Sequence, residues 1–264
     1  MKIVSRNVNG IRAVLQKGFF DWMKENNADI ICLQEVKAFE NQIPPEVRFL
    51  LAEYEYVWHR GNRPWYAGTA IFFRKGIEVK EKKAEFEERS FWEEGRMTQL
   101  NFVYQGQEIA LINGYFPNGN PRADWTEMLP YKLAFYEQFR MYINVLKAEG
   151  KMIIATGDFN ICHHPIDIAR PEANKNSIGF LPIERAEMDK LKADGYVDVF
   201  RWLNPELREK YTRWSYRSGA KERNVWWRLD YFRVAEKVLD WVEWMGHQEE
   251  IEGSDHCPIW LKLK

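Results

Sequence analysis

The tetrapeptide Gly157-Asp158-Phe159-Asn160 follows an apolar run, and four more such runs carry a carboxylate, carboxamide or imidazole at one end. Ile3-Val4 leads to Asn7 and Asn9. Ile30-Ile31-Cys32-Leu33 passes through Gln34 into Glu35, and Ile109-Ala110-Leu111-Ile112 leads to Asn113, Tyr115 and Asn118. Asp255-His256 stands just before the apolar stretch 259–263. Hard divalent cations take oxygen ligands, and Mg²⁺ is usually held by one or two carboxylates together with water and substrate phosphate. Glu35, Asp158 and Asp255 meet that requirement, with Asn7 and Asn160 as neutral helpers. One histidine and no cysteine in the set argues against zinc.

Taken singly, each motif has a plainer reading. Asp-Phe-Asn after a strand is also turn chemistry, because Asx side chains bond their own backbone. Asn7 and Asn9 before Gly10 suit the start of a helix. Glu35 can simply pair with Lys37, His256 can be a surface histidine, and Tyr115 a half-buried aromatic. Five strand ends that each bear a metal-competent or acid-base group are harder to obtain from turns alone.

The elements must bring these groups together. The apolar runs, with a further one at Ala70-Ile71-Phe72-Phe73, are strand-length and bounded by Gly, Asn or charge. Alternation over 98–104 before Gly106 predicts a hairpin into the run at Ile109. Helical periodicity is clearest over 131–149, with Leu133, Tyr136, Phe139, Ile143 and Leu146 on one face and Gly150 as the stop. A second helix is expected over 11–26, with Leu15, Phe19, Trp22 and Met23 inward. A third begins at Pro182, buries Met188 and Leu191 and ends by Gly195. The charge-dense stretch 78–96 reads as a solvated strand and loop. Strands mixed with outer helices indicate α/β or α+β, with two packed sheets. If the last strand runs antiparallel to the others, its start lies on the rim where their ends lie.

Composition sets bounds. The chain has 264 residues, of which 45% are apolar and 15% aromatic, enough for a large buried core. Net charge is -1 from 38 basic and 39 acidic side chains, so binding to a polyanion has to rest on local patches. Three cysteines without C-x-x-C spacing argue against a disulfide scaffold and a cysteine-built zinc site and fit a reducing compartment. With no h-region, cleavage site or membrane-length apolar run, the expected location is cytoplasmic.

Six segments carry a resemblance in order along the chain: Asn7-Val8-Asn9-Gly10-Ile11-Arg12, Leu33-Gln34-Glu35-Val36-Lys37, Asn113-Gly114-Tyr115-Phe116-Pro117-Asn118, Gly157-Asp158-Phe159-Asn160, Trp227-Arg228-Leu229-Asp230-Tyr231 and Ser254-Asp255-His256-Cys257-Pro258. The sequence resembles the exonuclease III family of apurinic/apyrimidinic endonucleases, within the endonuclease/exonuclease/phosphatase superfamily. Ile166-Asp167-Ile168-Ala169-Arg170-Pro171, then Asn174, Gly179-Phe180 and Glu184-Arg185, resembles the segment that separates this family from sphingomyelinases, inositol-phosphate phosphatases and deoxyribonuclease-I-like enzymes. The resemblance implies a four-layer α/β/β/α sandwich formed by 1–264 as a single domain. Three positions depart from it. Arg6 stands where many members carry a large aromatic, Arg213 where animal enzymes place an aromatic that helps line the abasic pocket, and Trp226 replaces a small residue beside Trp227.

What the resemblance implies is a Mg²⁺-dependent DNA repair nuclease, with Mn²⁺ as a possible substitute. It would cut the phosphodiester 5′ to abasic sites in duplex DNA and act as a 3′-to-5′ exonuclease and 3′-phosphatase. Glu35 would hold the metal, with Asp255 and Asn7 nearby. Asp158 would orient and deprotonate water with help from Asn160, and His256, oriented by Asp230, would face the phosphate with Tyr115. The roles of Asp158 and His256 can be exchanged at this level; the resemblance favours Asp158 as the base.

DNA contacts are expected from Arg63, Tyr66, Asn118, Arg170, Asn174, Arg213, Trp227 and Leu229, with Arg60 and Arg122 on neighbouring loops. The basic and aromatic residues interleaved over 210–233 suit backbone contact plus stacking, or else a solvated face over a Trp-rich core. Trp214 belongs to the core on either reading. A compact pocket between Trp227, Leu229 and the loop after Asn174 would admit a sugar lacking its base, which leaves the helix at reduced unstacking cost. A monomer acting on duplex DNA with abasic or 3′-blocked sites, away from membranes, is expected. Two alternatives stay open: a lipid or inositol phosphodiesterase of the same superfamily, and a catalytically inactive DNA-damage binding protein.

Overall fold

A computed structural model describes residues 1–42, 52–63, 65–121, 127–214 and 225–264. In chain order the strands are β1 (Lys2–Asn7), β2 (Ile30–Gln34), β3 (Tyr54–His59), β4 (Thr69–Arg74), β5 (Val79–Lys83), β6 (Met97–Tyr104), β7 (Gln107–Tyr115), β8 (Met152–Asp158), β9 (Tyr196–Asp198), β10 (Asp230–Ala235), β11 (Val242–His247) and β12 (Ile259–Leu263). Among the described residues they form two six-stranded sheets, ordered β11-β12-β1-β2-β4-β3 and β5-β6-β7-β8-β10-β9. Each sheet is mixed, with one parallel pair, β1 with β2 and β7 with β8, among antiparallel neighbours.

Alternation along the strands assigns the faces. Ile3, Ile30, Cys32, Ile71 and Phe73 point to the core shared with Leu100, Phe102 and Leu111 of the other sheet. Their neighbours Val4, Ile31, Leu33 and Phe72 point the opposite way, onto Ile11, Val14, Phe19, Trp22 and Met23. Helix Leu129–Ala148 covers the far side of the second sheet through Phe135, Tyr136, Phe139 and Ile143, beside helix Pro182–Ala193. The result is the expected four-layer α/β/β/α sandwich.

Local differences have local causes. The helix expected over 11–26 is two, Ile11–Leu15 and Phe19–Asn26, because Gly18 turns left-handed at φ 80° between them. Both still bury one face, so the apolar spacing reads as continuous, although Leu15 is only half-buried. The stretch 78–96 is less solvated than its charge suggests. Phe86 and Phe91 are buried in edge-to-face contact, and Arg96 is buried with them. The hairpin of β6 and β7 and the helix starting at Pro182 fall where the sequence places them.

Candidate active site

Strands β1, β2, β7 and β8 all end at one rim. Because β12 is antiparallel to β1 and β10 to β8, the residues that begin those two strands arrive at the same rim. Asp230 lies directly across the ladder from Asp158. Close approach of β7 and β8 there requires glycine: Gly157 has φ 132°, and a Cβ on it would lie 2.0 Å from the Gly114 carbonyl oxygen. Beyond Asp158 the chain turns at Asn160, whose left-handed φ is 52°. The Asn160 N–H donates to Asp158 Oδ1 at 2.9 Å, which is the Asx turn the sequence suggested. The other oxygen, Oδ2, accepts from Asn7 Nδ2 at 2.9 Å and lies 3.8 Å from His256 Nε2. One carboxylate therefore serves both the turn and the site.

His256 is buried rather than superficial. Its Nδ1 lies 2.8 Å from Asp230 Oδ2, which also accepts from the Thr212 hydroxyl at 2.6 Å. Burial alone would pull the imidazole pKa down, but Asp230, Asp158 and Asp255 hold it up, at about 9. Burial drives Asp158 the other way for an acid, up to about 7; the His256 charge opposes this rise, while Asp230 and Glu35 add to it. Burial and the Glu35 charge likewise keep the Tyr115 phenol well above its ordinary range, so it stays a hydrogen-bond donor.

The opposite side of the rim is open. Asn7 Nδ2 donates to Glu35 Oε1 at 2.8 Å, and Lys37 Nζ lies 2.6 Å from Glu35 Oε2 and 2.6 Å from Asn9 Oδ1. Asn9 Nδ2 continues the chain to Asp255 Oδ1 at 3.0 Å. The Glu35 and Asp255 side chains keep 16% and 13% exposure, enough to leave oxygen atoms and water for a cation. Ligand atoms of Asp158, Asp230 and His256 lie within 4.8 Å of one another, close enough to share an ion. That trio is buried and bonded to itself, however, so the partly exposed carboxylates of Glu35 and Asp255, with buried Asn7 beside them, suit a hydrated ion better.

Both sides face a cleft of about 440 Å³ that is also lined by Asn118, Asn160, Ile178, Gly179, Arg213, Trp226, Trp227 and Leu229. The expected pocket of Trp227, Leu229 and the loop after Asn174 is thus present, with Ser177, Ile178 and Gly179 as the loop's contribution. Asn174 itself is turned away: its Nδ2 donates to the Ala169 and Arg170 carbonyls and holds its own turn. Arg170 is exposed in a left-handed conformation at φ 55°. Tyr66 accepts from buried Arg96 at 2.7 Å and carries Arg63 over its ring at 4.6 Å. These four are not in the cleft. Trp214 is core, as expected. Arg122, Tyr216, Arg217, Lys221 and Arg223 lie outside the described residues.

Lys37 and Asn9, both noted in the sequence, link the two acids of the open side. Sequence reasoning missed other supports: Thr212 anchors Asp230. Buried Lys132 pairs with Glu184 at 2.6 Å and donates to the Asn118 and Asn160 carbonyls. Glu184 in turn accepts from the N–H groups of Gly179 and Leu181, so one buried pair ties three cleft segments together. Lys132 sits in an apolar helical face, where periodicity predicts a hydrophobe; only its mismatch to that face could have drawn notice.

Two mixed sheets present a buried carboxylate–imidazole pair and an acidic rim to one cleft, an arrangement suited to hydrolysis of phosphate esters. The model of the endonuclease/exonuclease/phosphatase family matches residues 7–256. An exodeoxyribonuclease from Bacillus subtilis is 36% identical over 269 residues, covering 99% of this chain and 98% of that protein. A DNA-(apurinic or apyrimidinic site) endonuclease from Dictyostelium discoideum is 34% identical, covering 98% and 69%. The structure of an AP endonuclease from Archaeoglobus fulgidus superposes with a TM-score of 0.84 at 29% identity, covering 100% and 99%. The chain belongs to the endonuclease/exonuclease/phosphatase family, in its exonuclease III-type branch of AP endonucleases, and is a DNA repair nuclease.

Proposed function

We propose that the protein hydrolyses the phosphodiester 5′ to abasic sites in duplex DNA with Mg²⁺, and that the same site trims 3′ ends and removes 3′-phosphates. The observation that carries this reading is the pairing of Asp158, buried and raised toward neutrality, with a partly exposed acidic rim across one cleft. Glu35, Asn7 and Asp255 are the residues that would hold the ion. When bound there, the ion supplies charge neutralisation on the phosphate and its leaving oxygen.

The chain's own groups do the rest. Asp158 takes a proton from water, and Asn160, whose Nδ2 is already given to the Phe116 carbonyl at 2.9 Å, keeps its second N–H and its Oδ1 to hold that water. His256, cationic at neutral pH, stabilises charge on a non-bridging oxygen, and Asp230 fixes its ring. Tyr115 donates its hydroxyl proton toward the phosphate. Trp227 and Leu229 enclose the sugar that lacks a base. Arg63, Tyr66, Asn118, Arg170 and Asn174 belong to the surface along which the duplex would lie, and a monomer suffices for all of this.

Nicking of an abasic duplex with Mg²⁺, abolished by EDTA and weakened by salt, is the expected result. Tight binding without nicking in Mg²⁺ or Mn²⁺ would leave a damage-binding protein instead. Turnover of sphingomyelin in place of DNA would move the substrate to lipid.

A further inference from the structure

Arg213 is the permanent cation of the cleft among its described lining residues, which otherwise offer acids, amides, one serine, aliphatic and aromatic groups and His256. Its backbone is bridged to both Trp227 and His256, which fixes where the side chain starts. Its Nε lies 3.5 Å from Asp255 Oδ2, and its guanidinium carbon lies 5.4 Å from the Trp226 ring centroid. The side chain is 36% exposed, and its two terminal nitrogens make no hydrogen bond among the described residues. A guanidinium seated on an indole, with its Nε beside a carboxylate, keeps its two terminal nitrogens for a ligand in the cleft that it lines.

We propose that Arg213, seated on Trp226, is a specificity-determining residue that tilts this chain toward 3′-phosphomonoester ends over abasic diesters. The inference rests on the nuclease reading above. In a diester, the phosphate oxygen opposite the upstream sugar carries the downstream sugar, which has to occupy the cleft. In a 3′-phosphomonoester that oxygen carries no sugar and adds negative charge. An apolar pocket favours the first group and a guanidinium favours the second, through a charge-assisted hydrogen bond.

The step balances without a further reactant. Water oxygen bonds to phosphorus as the P–O3′ bond breaks, and its electron pair leaves on O3′. The proton taken from water goes to that oxygen, giving a 3′-hydroxyl and inorganic phosphate.

The test is the ratio of kcat/KM for 3′-phosphate release to that for abasic incision, measured on duplexes of one sequence with Mg²⁺. Arg213→Met lowers the ratio about 10- to 100-fold, the range expected for loss of one charge-assisted hydrogen bond. It also raises the inhibition constant of inorganic phosphate by a similar factor, while a general loosening of the fold would lower both activities and leave their ratio unchanged. Arg213→Lys retains an intermediate ratio, and Trp226→Gly, which removes the seat but keeps the charge, lowers it by a smaller factor. These two variants keep the test decisive if Arg213→Met proves unstable to heating.

A ratio and phosphate inhibition that stay within about threefold of wild type across the folded variants overturn the assignment. Wild-type protein that cleaves neither duplex overturns the nuclease reading and this inference with it. Wild type that cleaves both, with an unresponsive ratio, sinks this inference alone.

Discussion

The two sheets follow one plan and are finished differently. Taken as β3-β4-β2-β1-β12-β11 and β5-β6-β7-β8-β10-β9, they share the same sequence of antiparallel and parallel neighbours, and each ends its parallel pair at the rim. β1 and β8 correspond, and their last residues, Asn7 and Asp158, are bonded to each other across the interface. On the second sheet, Asp158 and Asp230 are buried with His256, and burial with mutual charge displaces the proton affinities of Asp158 and His256. On the first, Glu35 and Lys37 keep contact with solvent, with Asn7 buried beneath them. A dry pole holds protons where water cannot level them, whereas a wet pole leaves an ion its hydration. The difference in burial, more than in residue type, divides the labour.

Removing one carboxylate from each pole is the strongest way to break that comparison. Asp158→Asn should lower kcat on an abasic duplex by about 10²- to 10⁴-fold, the range for a lost general base, with no recovery in excess Mg²⁺. Glu35→Gln should instead raise the Mg²⁺ concentration needed for half-maximal rate, and recover much of its activity when the ion is supplied in excess. Equal rescue of both variants would show that the poles are not distinct.

How far this division was legible in the sequence follows from the same physics. The central strands, their polar ends and the helix at Pro182 were readable because short continuous apolar runs and first-turn proline are local signals. Asp158, Asn160, Glu35 and His256 stood out through residue type at strand ends. Their burial did not, because it depends on which sheet packs above them. Thr212 and Lys132 were invisible for a related reason: each acts through partners far along the chain, Asp230 and Glu184. The break at Gly18 was hidden because both short helices bury the same face.

The dry pole makes a pH prediction of intermediate size. Asp158 must be ionised to take a proton, so at limiting Mg²⁺ the rate should rise as pH increases through about 7. His256 must stay charged, so the rate should fall as pH increases through about 9. Asp230→Asn removes the main charge that holds the imidazole up. The alkaline limb should then move to lower pH, and the rate at its maximum should drop by about tenfold or more. Added Mg²⁺ opposes the Glu35 charge that helps raise Asp158 and should move the acid limb down. A bell that ignores both changes would assign the two limbs to other groups.

Lys37 gives the smallest and most discriminating effect, because it tests the wet pole without touching a carboxylate. Its ammonium lies 2.6 Å from Glu35 and 2.6 Å from Asn9, where a cation held by Glu35 has to compete with it. The side chain is 27% exposed, so the pair is screened and worth well under the cost of a buried one. Lys37→Met should therefore tighten Mg²⁺ binding by about two- to fivefold at low salt, with the gain fading as ionic strength rises. Direct titration of the ion by calorimetry, without DNA, separates this from any lost contact to the duplex. Weaker binding in the variant would mean that Lys37 orders Glu35 for the ion instead of competing with it, and the open pole would then be preorganised like the buried one.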